Sequence, residues 1–177
     1  MIYFDMDGVL VRYELDAYLG DEPTFTQVGL HYFRDLKPDP MAIELFKKLY
    51  RQFKSEVFVC TSVSAPRIIR NEQTFDKMEW MLNYVPDFEV GSNFIATSSN
   101  KWTIISSIRG SNLSRSDILI DDYNPNLFSW VSHGGTGIKW INGINSPESW
   151  PGASLNGSDS IDKIITDFNN IWYKLAG

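Results

Sequence analysis

Two features of this 177-residue sequence predict a three-layer α/β fold built on a doubly wound parallel sheet. Short apolar runs rich in β-branched residues alternate with longer stretches of helical periodicity, the pattern of βαβ crossovers. The polar residues that stand out fall just after those apolar runs, where open α/β sheets bind their ligands. The length suits one domain, residues 1–177, large enough to bury a core without staples.

The elements follow in order. Ile2-Tyr3-Phe4 is the first strand, and Asp5-Met6-Asp7-Gly8 follows at once, with glycine freeing the backbone to turn. Residues 11–36 are expected to be a small cap or flap inserted after that strand. They are rich in aromatics (Tyr13, Tyr18, Phe25, Tyr32, Phe33) and broken by Gly20-Asp21-Glu22-Pro23. Asp39-Pro40 opens a helix as N-cap and first-turn proline, and Ala42, Leu45, Phe46, Leu49, Tyr50 and Phe53 recur at helical spacing. Residues 56–60 form a second strand. Residues 66–85 form a helix with Ile68, Ile69, Phe75, Met78, Met81 and Leu82 expected inside, stopped by Pro86. A third strand spans 94–97, and Ser98-Ser99-Asn100 caps a helix over 101–109. Residues 117–120 make a fourth strand ending in Asp121-Asp122, after which Asn124-Pro125-Asn126 turns the chain away. Residues 137–141 make the fifth. Asn, Gly, Ser and Pro dominate 142–158, which suits a loose surface loop. The last helix, about 159–175, buries Ile161, Ile164, Ile165, Phe168, Trp172 and Leu175.

Composition narrows the function. Hydrophobic residues at 43% and charged residues at 21% are those of an ordinary globule. A formal net charge of −6 argues against stable nucleic-acid binding but leaves room for one small phosphate ester. The single cysteine, Cys60, lies in the apolar run Val57-Phe58-Val59-Cys60, so no internal disulfide exists and a buried structural thiol is expected. No apolar run approaches the roughly 20 residues that span a bilayer. The first strand starts at residue 2, so no signal peptide and a cytoplasmic location are expected.

Asp5 and Asp7 lie two apart and so share a face. Two like charges about 4 Å apart repel by roughly 4 kcal/mol at an effective dielectric of about 20. No cation stands near them in sequence, and carboxylates select a hard cation such as Mg²⁺. Alone, this pair reads as an acidic turn. Thr61-Ser62 alone reads as a helix cap, Asp121-Asp122 as a turn, and Lys101 as a surface lysine set against the helix dipole. Together, and in this order, they make chemical sense.

The order Asp-x-Asp-Gly-Val, strand-end Thr-Ser, Lys, then Ile-Asp-Asp resembles the four motifs of haloacid dehalogenase-type phosphatases. Phe4-Asp5-Met6-Asp7-Gly8-Val9-Leu10, Val57-Phe58-Val59-Cys60-Thr61-Ser62 and Leu119-Ile120-Asp121-Asp122 are similar to the 5′(3′)-deoxyribonucleotidase branch. So is Asp76-Lys77-Met78-Glu79-Trp80. The resemblance implies a Mg²⁺-dependent phosphomonoester hydrolase acting on a small phosphorylated substrate, a nucleoside monophosphate. It implies that Asp5 is the nucleophile that becomes an aspartyl phosphate and that Asp7 is the general acid and base. Mg²⁺ would be held by Asp5, the main-chain carbonyl of Asp7, and Asp122, with Asp121 behind them orienting a water or Lys101. Thr61 and the amides of Ser62 and Val63 would grip the phosphoryl oxygens, and Lys101 would neutralise their charge. In that branch the cap is several helices. Residues 11–36 are too few for such a bundle, so a more open pocket is expected, with Tyr32 and Phe33 against the apolar part of the substrate.

Three other readings stay open. One is a general small-molecule or nucleic-acid 3′-end phosphatase with the same chemistry. A phosphoacceptor receiver would need its aspartate on a middle strand, and none lies in 57–60. A catalytically inactive binding module would not be expected to keep Asp5, Asp7, Lys101 and Asp122 together. His31 and His133, the only histidines, fall in no motif and are expected to be structural or at the surface.

Overall fold

Ile2, Tyr3 and Phe4 are all buried, as only a strand covered on both faces requires. This strand, β1 (Ile2–Phe4), is central in a six-stranded sheet of order β3-β2-β1-β4-β5-β6, every neighbouring pair parallel. The computed structural model describes residues 1–12, 31–144 and 149–176. Most of the insertion expected at 11–36, with Tyr13, Tyr18 and Phe25, lies outside the described residues. The other strands are β2 (Val57–Ser62), β3 (Phe94–Thr97), β4 (Ile118–Asp121), β5 (Thr136–Ile141) and β6 (Ala153–Asn156). In register, Phe4 pairs with Val59 on one side and Ile120 on the other.

The helices are α1 (Tyr32–Asp35), α2 (Pro40–Phe53), α3 (Arg67–Tyr84), α4 (Val90–Asn93), α5 (Lys101–Arg109), α6 (Asn124–Ser132) and α7 (Ile161–Ala176). Alternation along the strands sorts them into two layers. Ile2, Phe4, Val57, Val59, Ile118 and Ile120 face a core shared with α2, Trp80 and Met81 of α3, and Ile164 and Phe168 of α7. Tyr3, Cys60 and Leu119 face the opposite core, with Ile105 of α5 and Leu127 and Trp130 of α6. At α2, Asp39 Oδ1 accepts from the amides of Met41 and Ala42, each at 3.0 Å, with Pro40 in the first turn.

Three expectations change. The 142–158 stretch contains a sixth strand: β6 pairs in parallel with β5 although Leu155 is its one buried apolar side chain. Its other residues, Ala153, Ser154 and Asn156, hide it from any hydrophobic pattern. Asn124-Pro125-Asn126 begins a helix, because proline in a first turn lacks only an N–H that would be unpaired there anyway. And α3 is rotated relative to its apolar stripe. Ile68, Phe75 and Leu82 are exposed, whereas Gln73, Asp76, Lys77, Trp80 and Met81 are buried. No helix among the described residues is long and apolar enough to cross a membrane.

Candidate active site

The chain runs from β1 outward to β2 and β3, then returns past β1 to β4, so the loops leaving β1 and β4 diverge. Such a switch point opens a crevice at the carboxyl ends of those strands. Asp5 and Asp7 enter it from β1, and Asp121 and Asp122 from β4. Asp5 continues the parity of Tyr3, and Asp121 that of Leu119, so both face the layer of α5. There the first residue of α5, Lys101, lies between them: its Nζ is 2.7 Å from Asp5 Oδ1 and donates to Asp121 Oδ2 at 2.6 Å. Asp5 Oδ1 also accepts from the amide of Met6 at 2.8 Å.

The turn after β1 is closed by the Met6 carbonyl, which accepts from Val9 and Val11 amides at 3.3 and 2.9 Å. Gly8 sits in it at φ +78°, and a Cβ there would stand 2.2 Å from Asp122 Oδ2. Both facts demand glycine. The close approach brings Asp122 against the turn. Asn142 ties the two together, donating to the Gly8 carbonyl at 2.7 Å and to Asp122 Oδ2 at 2.9 Å.

Asp5, Asp121 and Asp122 each offer an oxygen within 4.8 Å of the others, and all three are buried. Oxygen donors of this kind fit a hard divalent ion. Asp121 is the most heavily engaged: besides Lys101, its Oδ2 accepts from Asn126 at 3.0 Å and its Oδ1 from the Tyr123 amide at 2.8 Å. Burial pushes the Asp5 carboxyl well above its usual range, against the pull of Lys101 and with the push of Asp121, Asp7 and Asp122. Burial opposes the charge on Lys101 too, but its carboxylate partners win and raise it.

The acidic pair expected to lack a cation has two. Lys101 serves Asp5, and Lys77, reaching in from α3, donates to Asp7 Oδ2 at 2.5 Å, to Thr61 Oγ1 at 2.9 Å and to the Ser62 carbonyl at 2.8 Å. A third lysine, Lys139 on β5, donates to the Asp122 carbonyl and to Asn124 Oδ1 at 2.8 Å. Burial pulls its ammonium below the usual range. With every group ionised, the crevice holds Asp5, Asp7, Asp121 and Asp122 against Lys77, Lys101 and Lys139, one negative charge in excess.

Thr61 is fully buried beside Lys77, and Ser62 is half-buried at the end of β2. The amide of Val63 donates to Thr97 O at 2.9 Å and is therefore committed to the strand rather than to a ligand. Phe33 is buried with its ring 4.4 Å from Lys77 Nζ, and Tyr32 meets it edge-on at 5.2 Å. Cys60 is fully buried, and burial pushes its thiol up to about 12. His31 contacts Asp76 at 3.1 Å, and His133 stacks on Trp102 at 3.6 Å. The sequence reading missed Lys77, Lys139, Asn126 and Asn142 as site residues. Lys139 carried a signal, a charge inside the apolar run Gly137-Ile138-Lys139-Trp140-Ile141.

The fold is that of haloacid dehalogenase-like hydrolases. Among solved structures that share it is a hydrolase of that family from Streptococcus pneumoniae, with TM-score 0.59 and 10% identity over 94% of this chain and 97% of that one. D,D-heptose 1,7-bisphosphate phosphatase from Burkholderia thailandensis matches at TM-score 0.56 and 10% identity, covering 94% and 97%. A HAD-superfamily hydrolase from Ehrlichia chaffeensis matches at 0.54 and 13%, covering 95% and 97%. No protein-family model matches the chain, and no curated protein sequence matches it.

Proposed function

We propose that this protein is a Mg²⁺-dependent phosphomonoester hydrolase that works through an aspartyl-phosphate intermediate. The observation that carries this reading is the placement of Asp5: buried at the switch point, held by Lys101, and next to Asp121 and Asp122. With Oδ1 engaged by Lys101 and the Met6 amide, Oδ2 of Asp5 is the atom to attack phosphorus. Asp7 serves as acid to the leaving oxygen and base to the attacking water. Thr61 and Ser62 orient the phosphoryl oxygens, and Lys101 offsets their charge. The naming of one neighbour as a bisphosphate phosphatase supports phosphoester chemistry.

Asp5 and Asp122 would hold the metal with the Asp7 carbonyl, while Asp121, its oxygens engaged by Lys101, Asn126 and the Tyr123 amide, orients Lys101. Held there, Mg²⁺ would supply positive charge to offset that of the phosphoryl oxygens. The crevice's excess negative charge fits a cation there. A divalent ion would make the site net positive, as a phosphate dianion requires.

A nucleoside monophosphate is the substrate class suggested by the resemblance of the motifs and of the segment Asp76–Trp80. The insertion at 11–36 would set selectivity. One observation favours a second class. A cleft of about 550 Å³ beside the phosphate grip is lined mainly by hydroxyl and amide side chains, among them Ser62, Thr97, Asn100 and Asn126, with Val63 its one apolar residue and no charged or aromatic side chain. That lining suits the hydroxyls of a sugar phosphate. The test is Mg²⁺-dependent phosphate release from nucleoside 5′- and 3′-monophosphates, sugar phosphates, p-nitrophenyl phosphate and a 3′-phosphorylated oligonucleotide, with Asp5→Asn as control. Preferred turnover of nucleoside monophosphates supports the first class, and of sugar phosphates the second. No turnover that depends on Asp5 would overturn the reading.

A further inference from the structure

Lys77 is fully buried, and the chemistry proposed above gives it no task. Its three protons meet three fixed acceptors, Asp7 Oδ2, Thr61 Oγ1 and the Ser62 carbonyl, while the Phe33 ring covers it. An ammonium so placed has no rotational freedom left. The consequence falls on Asp7. Lysine only donates, so Oδ2 is an acceptor, and any proton that Asp7 carries must sit on Oδ1. Oδ1 is buried and has no hydrogen-bond partner among the described residues. Leaving a buried oxygen without a partner is costly, so this one is poised for a partner brought by the ligand.

We infer that Lys77 is a positioning residue that clamps Asp7 so that Oδ1 alone transfers the proton. This rests on the phosphatase reading. In the first half-reaction an Asp5 oxygen bonds to phosphorus as the bond from phosphorus to the leaving oxygen breaks. The proton on Asp7 Oδ1 passes to that oxygen, and an alcohol departs. In the second, Asp7 Oδ1 takes a proton from water as the water oxygen bonds to phosphorus. The bond between phosphorus and Asp5 breaks, returning the carboxylate and releasing phosphate.

Leaving-group dependence separates this role from a structural one. An alkoxide needs the proton, whereas p-nitrophenolate leaves without it. First-turnover release of the alcohol or phenol is measured with Mg²⁺ for an alkyl phosphate and for p-nitrophenyl phosphate. The proteins are wild type, Lys77→Met, Asp7→Asn, the Lys77→Met/Asp7→Asn double variant, and Asp5→Asn as control. Lys77→Met should slow alkyl release at least about tenfold more than aryl release. In the Asp7→Asn background it should change alkyl release by less than about twofold, since both act through one proton transfer. Should Lys77→Met fail to fold, Lys77→Arg carries the test, because its planar fork cannot repeat the three-way clamp. It should show the same alkyl-selective loss. Equal slowing of both substrates, or an undiminished effect without Asp7, overturns the inference while leaving the phosphatase reading standing. Absence of Asp5-dependent release by the wild-type protein removes both.

Discussion

Asp5 is a residue whose proposed chemistry and stability pull in opposite directions. Burial raises its carboxyl above the usual range despite Lys101. A raised carboxyl means that the folded state holds its proton more tightly than the unfolded chain does, so stability falls as pH climbs above the unfolded value of about 3.9. Above that value the carboxyl is therefore a cost to the fold. Asp5→Asn should lower turnover at least about a thousandfold and, in EDTA at pH 7, raise Tm, about 2–4 °C for each kcal/mol relieved. A lower Tm by calorimetry would contradict that origin of the shift. Gly8→Ala works on the neighbouring carboxylate. Its methyl would collide with Asp122 at a backbone angle that disfavours any side chain. Mg²⁺ affinity by titration calorimetry should fall about 10- to 100-fold; an unchanged affinity would separate Asp122 from the metal.

Between α5 and β4, Asp117 fastens one element to the next. It accepts from Arg109 of α5, and from the amide and hydroxyl of Ser114 at 2.8 and 2.9 Å. Burial works to raise its carboxyl, but these hydrogen bonds win and hold it below the usual range. A depressed carboxyl stabilises the fold above the unfolded value of about 3.9, and that contribution is lost as pH falls through the folded value. Asp117→Asn should then cost about 1–3 kcal/mol at pH 7 in urea unfolding, the difference from wild type shrinking toward pH 2. A difference independent of pH would contradict the assignment. At this scale the sequence was legible where burial follows hydrophobicity. In α2, Leu45, Phe46 and Leu49 lie where their spacing puts them. It misled in α3, because the face turned inward there carries Lys77 to the crevice and Asp76 to His31 and Arg34, and leaves Ile68 and Phe75 outside. The aspartates were legible as a site because they fall at strand ends. Lys77 was not, because a lysine on a helix ordinarily marks the wet side. β6 escaped notice for lack of apolar residues: a strand at the sheet's edge, with a single buried leucine, needs only its ladder.

Across the whole molecule, the sheet gathers acidic residues from two strands at one switch point and surrounds them with lysines from three separate elements: α3, α5 and β5. The residual negative charge makes a cation the natural complement of the folded state. At about 100 times its Kd, Mg²⁺ should stabilise the fold by about 2.7 kcal/mol, and EDTA should reverse the rise in Tm. An unchanged Tm would count against metal binding in the resting protein. The central claim is covalent, and it has a direct measurement. The protein is quenched in acid during turnover of p-nitrophenyl phosphate with Mg²⁺, digested, and mapped by mass spectrometry. The peptide holding Asp5 should gain one phosphoryl group, and the gain should vanish in Asp5→Asn. Turnover with no phosphoryl group on that peptide would contradict the aspartyl-phosphate mechanism.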